Sequence, residues 1–463
     1  MPSNPSLHSK QVEIAEHPAR FKIVRAGRRS GKSTLEIELM LAIAVAKKNR
    51  TVFYIAPTQI QARSIIWEAL KSRVGNAGEA HEQRLEMTVP TADGGKSIIK
   101  IAGWENRENF RGQSAHHITF DELDTMKDFF IGWQEIFRPA LIDTAGTADF
   151  IGTPKKENPN LRRLEKEAGP EWASFHFTSH DNPNLPIAEL KKAQEELDHE
   201  TYRQEILAEY VDNAGSLFKY TALVDMFSNT ITKSNEKYLI IDVADDGSDK
   251  TVFGFWQGLE LYRLEQFARL NTESIINQTR EYASSDRIPY SQIAVDAIGV
   301  GAGVASSSML DGIVGFKSSY GAIKTDEDPT RLPNVHYRQN ATLTSEYANL
   351  RSQCIFTLAE RVNNHLIAVK TEDLRVKEAI IEELALYQDA SKGDGKRMPT
   401  QKDDVKALLG RSPDLSDTLV MRMYFILREK MLPVQSEQAL QLRNSLQSQF
   451  NRNENAVALN SNK

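Results

Sequence analysis

The chain has 463 residues, with 57 Lys or Arg and 63 Asp or Glu, so its formal net charge is −6. This charge excludes a protein that is basic over its whole surface, although a local basic groove remains compatible with it. The single cysteine, Cys354, excludes a disulfide framework within the chain and a cysteine-rich zinc site. The first 20 residues are polar, and the longest apolar stretch, 39–46, is too short to cross a bilayer. We therefore expect a cytosolic protein without a membrane partner.

The first half of the chain alternates short apolar runs with segments of helical periodicity. The expected strands are 21–24, 51–56, 97–102, 116–120 and 148–151. The expected helices are 7–16, 32–48, 59–71 and 187–210. This alternation favours an α/β domain with a largely parallel sheet that is covered on both faces.

A second block of strands and helices follows. Its expected strands are 237–243, 251–256 and 292–295, and its expected helices are 274–284, 345–360, 374–386 and one that begins after Pro413. The turn at 245–248 predicts that the first two strands form a hairpin. The domain organisation that we predict is a first domain at 1–212, a linker at 213–236, a second domain at 237–432 and a tail at 433–463. The tail is rich in Gln, Asn and Ser, and we expect it to be disordered.

The sequence AGRRSGKS, residues 26–33, has the spacing of a phosphate loop, and it lies between a strand and a helix as that motif requires. Backbone N–H groups of such a loop point at a phosphate. Lys32 would add a positive charge at the β- and γ-phosphates, and Ser33 would offer its hydroxyl to Mg²⁺. Ala26 stands where the motif has its first glycine. The candidate nucleotide-binding residues here are Ala26, Gly27, Arg28, Arg29, Ser30, Gly31, Lys32, Ser33 and Thr34.

An acidic pair, Asp121 and Glu122, follows the apolar run 116–120. At the carboxyl end of a core strand, Asp121 would hold the metal of a nucleotide and Glu122 would polarise the attacking water. Together with the phosphate loop, this pair predicts a nucleotide hydrolase.

Three accessory features fit the same site, and each has a simpler explanation. Gln11 could contact an adenine edge or could be an ordinary exposed helix residue. Arg28 and Arg29 could reach the γ-phosphate, or could pack against a carboxylate or DNA. Thr153, which follows the run 148–151, could sense the γ-phosphate or could merely end a strand.

The second block carries dispersed aspartates. Asp242 and Asp296 each end an apolar strand, and Asp417 lies near the start of the last helix. A carboxylate at the end of a buried strand is costly without a partner. Three such groups could converge on two Mg²⁺ or Mn²⁺ ions that support phosphodiester cleavage. Each aspartate could also be a turn, cap or surface residue.

Taken together, these motifs resemble those of the large terminase subunits of tailed bacteriophages. The resemblance runs from about residue 8 to residue 428. It is carried, in order, by AGRRSGKS, YIAPTQIQA, NFRGQSAHHITFDE, FIGTP, DNPNLP, YRQEILAEYV, LIIDVAD, IAVDAIGVGAG and GRSPDLSDTL.

The resemblance implies a P-loop ATPase domain of the additional-strand type, followed by a ribonuclease-H-like nuclease domain. Such a protein uses ATP to move double-stranded DNA into a procapsid and cuts concatemeric DNA with Mg²⁺, or with Mn²⁺, at the nuclease site. The expected partners are a portal protein, a small terminase subunit and further copies of the chain in a ring, and the expected place is the cytoplasm of the host.

The resemblance also assigns roles to single residues. Lys32, Ser33, Asp121 and Glu122 match the ATPase motifs. Thr153 matches a coupling motif, Arg28 matches the arginine of the phosphate loop, and Arg111 lies where related motors place an arginine that acts on a neighbour's ATP. Asp242, Asp296 and Asp417 match the nuclease triad.

Two other functions remain open at this point. The first is a helicase-like or remodelling ATPase whose second domain binds DNA without cutting it. The second is an integrase-like recombinase, which would explain the three aspartates but leaves the phosphate loop unexplained. If DNA is the substrate, the basic loop 392–402 and Lys406 are candidates for a local DNA-binding groove.

Overall fold

The computed structural model of the chain divides it into two compact units, which meet in sequence at residues 214 and 215. The structure describes residues 7–156, 159–211, 215–232, 234–244, 250–268, 270–323, 346–391 and 395–431. The predicted tail, 433–463, lies outside the described residues, as does the turn at 245–248.

The first unit is built on an eight-stranded sheet. Its strands are β1 (Phe21–Ala26), β2 (Thr51–Ala56), β3 (Glu79–His81), β4 (Glu86–Pro90), β5 (Lys96–Gly103), β6 (His117–Phe120), β7 (Thr147–Gly152) and β8 (Trp172–Phe177). They lie in the order β3-β4-β5-β2-β6-β7-β1-β8, and all pairs from β5 to β8 are parallel. Since β7 lies between the phosphate-loop strand β1 and the acidic-pair strand β6, the sheet has the additional strand that the sequence predicts.

Helices cover the faces of this sheet. They are α1 (Ser9–Glu16), α2 (Lys32–Ala46), α3 (Gln59–Ala62), α4 (Glu68–Val74), α5 (Phe129–Gly132), α6 (Arg138–Ala140), α7 (Asn160–Glu167), α8 (Ile187–Glu196) and α9 (His199–Glu205). The prediction of one helix over 187–210 is wrong. Asp198 separates α8 from α9, because its side chain accepts a hydrogen bond from the Thr201 N–H and so caps the start of α9.

The second unit contains a six-stranded sheet. Its strands are β9 (Lys237–Asp242), β10 (Lys250–Gln257), β11 (Glu260–Ala268), β12 (Ile293–Asp296), β13 (Val314–Phe316) and β14 (Ala368–Val369). The strands lie in the order β13-β12-β9-β10-β11-β14. The first three in sequence form an antiparallel meander, and β12 pairs in parallel with β9 on its other edge. This is the arrangement of a ribonuclease-H-like fold, as predicted.

The helices of the second unit are α10 (Tyr220–Asp225), α11 (Thr272–Ser285), α12 (Val300–Ala305), α13 (Leu350–Asn363), α14 (Leu374–Ala385), α15 (Lys402–Leu409) and α16 (Asp414–Met431). The prediction that α13 starts at residue 345 is five residues early, because Asn349 caps the helix by accepting a hydrogen bond from the Ser352 N–H. Within the stretch predicted as a linker, α10 contributes Ala222 and Leu223 to the core of this unit. No helix in the described part of the chain is long and apolar enough to cross a membrane.

Candidate functional sites

The loop between β1 and α2 adopts a conformation that depends on two glycines. Gly31 has φ +100° and begins α2, a conformation that residues with a side chain rarely adopt. Gly27 is required by space, since a Cβ there would come within 2.4 Å of the Ile206 carbonyl oxygen. Ala26, which replaces the first glycine of the motif, is the last residue of the buried strand β1, where a methyl group is accommodated.

Side chains from several elements anchor the carbonyl groups of this loop. Ser30 donates to the carbonyl oxygen of Gly27, Ser179 to that of Arg28, Asn182 to that of Arg29, His8 to that of Ser30 and Gln11 to that of Gly31, at 2.6–3.1 Å. The N–H groups of Gly27, Arg28 and Ser30 donate to the carbonyl oxygens of Phe177, Glu205 and Gly27. The anion-binding N–H groups would therefore be those at the start of α2.

Gln11 has a different position from the one its adenine-contact prediction needs. Its side chain is buried, its Nε2 donates to Gly31 O at 2.8 Å and its Oε1 accepts from the His8 N–H at 2.8 Å. It does not line the cavity of this site. The structure therefore places Gln11 behind the phosphate loop as one of its anchors.

Lys32 lies at the centre of the site. Its Nζ donates to Thr153 Oγ1 at 2.9 Å and to Gly27 O at 3.3 Å, and it lies 3.6 Å from Glu122 Oε1. Thr153 in turn donates to Ala26 O at 3.0 Å. One ammonium group thus connects the phosphate loop, the acidic pair and the end of β7.

Asp121 is buried at the end of β6 and is held from two sides. Its Oδ2 accepts from the Tyr54 hydroxyl at 2.5 Å, and its Oδ1 accepts from the Glu122 N–H at 2.8 Å. Burial, followed by the charge of Glu122, raises the pKa of Asp121. A further carboxyl group, Glu36 on α2, was not predicted; it is fully buried beside Asp121. Its pKa is raised well above the usual value by burial and then by Asp121.

These groups face a cavity of about 620 Å³. The lining residues are Arg28, Arg29, Gly31, Lys32, Ser33, Thr34, Pro57, Gln61, Ile65, Asp121, Glu122, Thr125 and Lys155. The volume suits a nucleoside triphosphate. Ser33 and Asp121 both reach the cavity, so the oxygen donors that Mg²⁺ prefers are present where the phosphates would lie.

Two cations at this cavity share one carboxylate. Glu205 on α9 forms ion pairs with Arg28 and with Lys155, the latter at 2.5 Å. Lys155 was not predicted from the sequence. Arg111 does not line this cavity; it is exposed and pairs with Glu108 at 3.0 Å and Glu135 at 3.4 Å.

The second unit brings its three predicted aspartates to one cavity of about 230 Å³. Asp242 and Asp296 end the neighbouring parallel strands β9 and β12, and Asp417 enters from the first turn of α16. Asp414 and Lys406 also line the cavity. Burial, followed by the charge of Asp417, raises the pKa of Asp242 well above its usual value.

Two cations hold the Asp417 carboxylate. Arg351 Nη2 donates to Oδ1 at 2.9 Å and also to the Tyr387 hydroxyl at 2.8 Å, and Lys402 Nζ lies 2.6 Å from Oδ2. Burial opposes ionisation of Asp417, but Arg351 and Lys402 outweigh it and lower the pKa. Lys402 belongs to the predicted basic loop, whereas Arg351 was missed because it lies 66 residues before Asp417.

The donor set of this cavity consists of carboxylate oxygens, which suits Mg²⁺ or Mn²⁺. Within the described residues, no three His, Cys, Asp or Glu side chains are arranged as a metal-binding group. Both oxygens of Asp417 are engaged by cations of the protein, so a metal ion that used Asp417 would have to displace Lys402 or share the carboxylate with it.

Known proteins match the first unit, the second unit or most of the chain. Residues 23–225 match the family described as "Terminase large subunit, T4likevirus-type, N-terminal". The large terminase subunit of Escherichia phage T5 is 23% identical over 357 residues, covering 71% of this chain and 81% of the relative. Among solved structures, the match to a large terminase from a thermophilic bacteriophage covers 89% of this chain and 98% of that terminase, at 15% identity and a TM-score of 0.41. The match to the nuclease domain of the large terminase subunit of bacterial virus Sf6 covers 45% of this chain and 98% of that domain, at 21% identity and a TM-score of 0.37.

The fold and the two cavities are those of a P-loop domain followed by a ribonuclease-H-like domain. The family match over residues 23–225 and the T5 relative make the chain similar to the large terminase subunits of bacteriophages.

Proposed function

We propose that this chain uses ATP to drive double-stranded viral DNA into a procapsid and that it cuts concatemeric DNA at its second cavity with Mg²⁺ or Mn²⁺. The observation that carries the proposal is the presence of two separate carboxylate-lined cavities, one in each compact unit, of which only the first contains a phosphate loop.

In the first cavity, the N–H groups at the start of α2 and Lys32 bind the β- and γ-phosphates, and Glu122 orients and deprotonates the attacking water. Ser33 and Asp121 would hold Mg²⁺, which would neutralise charge on the phosphate oxygens of a bound nucleotide. A bound γ-phosphate would draw the Lys32 ammonium towards it and so change the hydrogen bond between Lys32 and Thr153. Thr153 would therefore respond to the presence of the γ-phosphate. Arg28 and Arg29 lie on the cavity wall, within the same loop.

Arg111 has a role that only another copy of the chain allows. Its side chain is exposed and does not line the cavity of its own subunit. We assign it to the ATP site of a neighbouring subunit in a packaging ring, where a positive charge would stabilise the γ-phosphate in the transition state. The ring would work in the host cytoplasm, with a portal protein and a small terminase subunit as partners.

In the second cavity, Asp242, Asp296 and Asp417 would hold divalent metal ions, which would supply positive charge for phosphodiester cleavage. Arg351 holds Asp417 in place, and Lys402 and Lys406 provide positive charge for the DNA backbone. Arg397 of the predicted groove is engaged with Glu346 at 3.4 Å, and Lys392 lies outside the described residues.

Two single substitutions separate the activities. Purified protein is incubated with supercoiled plasmid and Mg²⁺ or Mn²⁺, and ATP hydrolysis is measured on the same preparations. Glu122→Ala is expected to lose ATP hydrolysis and keep cleavage, whereas Asp242→Ala is expected to show the reverse. The exposed Asp311→Ala, in the same unit as Asp242, controls for the loss of an aspartate as such.

Each half of the proposal can fail by itself. Full ATP turnover in both Glu122→Ala and Lys32→Ala would remove the hydrolase assignment. If the folded wild-type protein hydrolyses ATP but cuts no DNA with either metal, the chain is instead a remodelling ATPase with a second domain that only binds DNA.

A further inference from the structure

The residue proposed as the catalytic base has an unusual backbone. Glu122 has φ 51° and ψ 47°, a left-handed conformation that is costly for a residue with a side chain. It is followed by the tight turn Leu123–Thr125, in which the Thr125 N–H donates to Glu122 O at 3.0 Å. Such a conformation persists only where the surrounding structure enforces it.

Four hydrogen bonds enforce it from one segment. Asn160 Nδ2 donates to Leu123 O and to Met126 O, both at 2.9 Å. In the opposite direction, Asp124 Oδ1 accepts from the Leu161 N–H at 2.7 Å and Asp124 Oδ2 accepts from the Lys155 N–H at 3.0 Å. We call these four bonds the Asp124–Asn160 clasp. Both side chains are buried, at 1% and 8% exposure, which limits the access of water to these bonds.

The clasp joins two parts of the ATP site. The segment that it grips begins directly after Thr153 and Pro154, and Thr153 contacts Lys32. The gripped turn begins directly after Glu122. The end of β7 and the turn after Glu122 also pack closely at Gly152, where an added Cβ would lie 3.1 Å from the Leu123 nitrogen. Hydrogen bonds and the close approach at Gly152 therefore link the turn after Glu122 to the residues that follow Thr153.

We propose that Asp124 and Asn160 are positioning residues for hydrolysis, which hold Glu122 at the γ-phosphate and make its position depend on the segment that carries Thr153. This inference rests on the proposed role of Glu122 as the catalytic base. Neither residue lines the cavity, so neither touches the nucleotide. Loss of the clasp would displace a catalytic group while the phosphate loop and Lys32 stay in place, and displacement of about 1 Å can cost about 100-fold in rate.

The expected kinetic signature is a fall in kcat without a change in nucleotide binding. In the full-length chain, Asn160→Ala and Asp124→Ala should lower kcat for ATP at least about tenfold, with KM and the affinity for ATPγS within about twofold of wild type. Asp124→Asn should be intermediate, because its amide oxygen can still accept one of the two N–H bonds. Because asparagine is nearly isosteric with aspartate, Asp124→Asn can replace Asn160→Ala in this test if Asn160→Ala does not fold.

Two controls distinguish positioning from general damage. Leu164→Ala removes a buried side chain of the same helix, α7, but leaves the clasp intact; its kcat should stay within about threefold of wild type. In a double-mutant cycle, Asn160→Ala should add less than about twofold to the defect of Glu122→Gln, measured in single turnovers.

The outcomes separate the two levels of the argument. The positioning role of the clasp is refuted if Asn160→Ala and Asp124→Asn keep wild-type kcat, or if Leu164→Ala is equally impaired. It is also refuted if the defects of Asn160→Ala and Glu122→Gln multiply fully in the double-mutant cycle. If Glu122→Gln itself turns over ATP at the wild-type rate, the base assignment fails first, and the clasp loses its target.

Discussion

The hydroxyl of Thr153 is the feature whose removal most sharply tests the geometry of the ATP site. Thr153 is 1% exposed, accepts from Lys32 Nζ at 2.9 Å and donates to Ala26 O at 3.0 Å. Thr153→Val replaces the hydroxyl by a methyl group of similar size. Thr153→Ser keeps the hydroxyl and removes the methyl group instead.

Thr153→Val should lower the unfolding free energy more than Thr153→Ser, although valine is the more hydrophobic residue. Thr153→Val loses a hydrogen bond from a charged donor, worth about 1.5–3 kcal/mol, and leaves a buried carbonyl with one partner fewer, at about 1 kcal/mol or more. Lys32 keeps Gly27 O and Glu122 nearby, so the sum should stay near 2–4 kcal/mol of unfolding free energy. Thr153→Ser loses one methyl group, which costs about 1 kcal/mol.

Chemical denaturation without nucleotide measures this order. Four of the five tryptophans belong to the first unit, so tryptophan fluorescence reports mainly on its unfolding. Thr153→Val should also lower ATP turnover at least about tenfold, while Thr153→Ser stays close to wild type. If Thr153→Val is as stable as or more stable than Thr153→Ser, the hydroxyl does not hold Lys32 and the reasoning is refuted.

Two further predictions concern the second unit. Arg351→Gln should lower the unfolding free energy of the second unit, measured in chelator, by about 1–3 kcal/mol; the loss is less than for a fully broken buried pair because Lys402 still pairs with Asp417. The same substitution should reduce plasmid cleavage at least about tenfold. Equal cleavage by Arg351→Gln and wild type would contradict a positioning role for Arg351. Burial raises the pKa of Glu383 to about 7, so the native state binds this proton more tightly than the unfolded state. The unfolding free energy should therefore fall as the pH rises from about 4.5 to about 7, by at most about 3 kcal/mol from this group. Glu383→Gln should flatten that slope in denaturation curves across this range, and an unchanged slope would count against the shift.

The parts of the structure that the sequence predicts are those encoded within a few residues. The phosphate loop needs glycines at fixed positions next to a lysine, and the acidic pair needs an apolar run before it, so both can be read locally. Only the resemblance to large terminase subunits implies the additional strand, which in the structure is β7, lying between β1 and β6 and bringing Thr153 to Lys32.

The missed elements lack such local patterns. Strand β8 lies at the edge of its sheet and is half-exposed, so its residues show no continuous apolar run. The clasp pairs Asp124 with Leu161 across 37 residues, and Arg351 reaches Asp417 across 66. A single buried polar residue gives no periodic signal, and its partner is decided only when the chain is folded.

The two cavities differ in how they compensate their buried carboxyl groups. In the first, burial raises the pKa of Asp121 and Glu36, and Lys32 is the cation beside both. A nucleotide adds further negative charge, so binding with a divalent cation is favoured over binding of the bare triphosphate. In the second, Arg351 and Lys402 keep Asp417 ionised, while Asp242 keeps a raised pKa. A cation that enters there finds one carboxylate already charged and lowers the pKa of the other, so metal binding should release protons and strengthen as the pH rises.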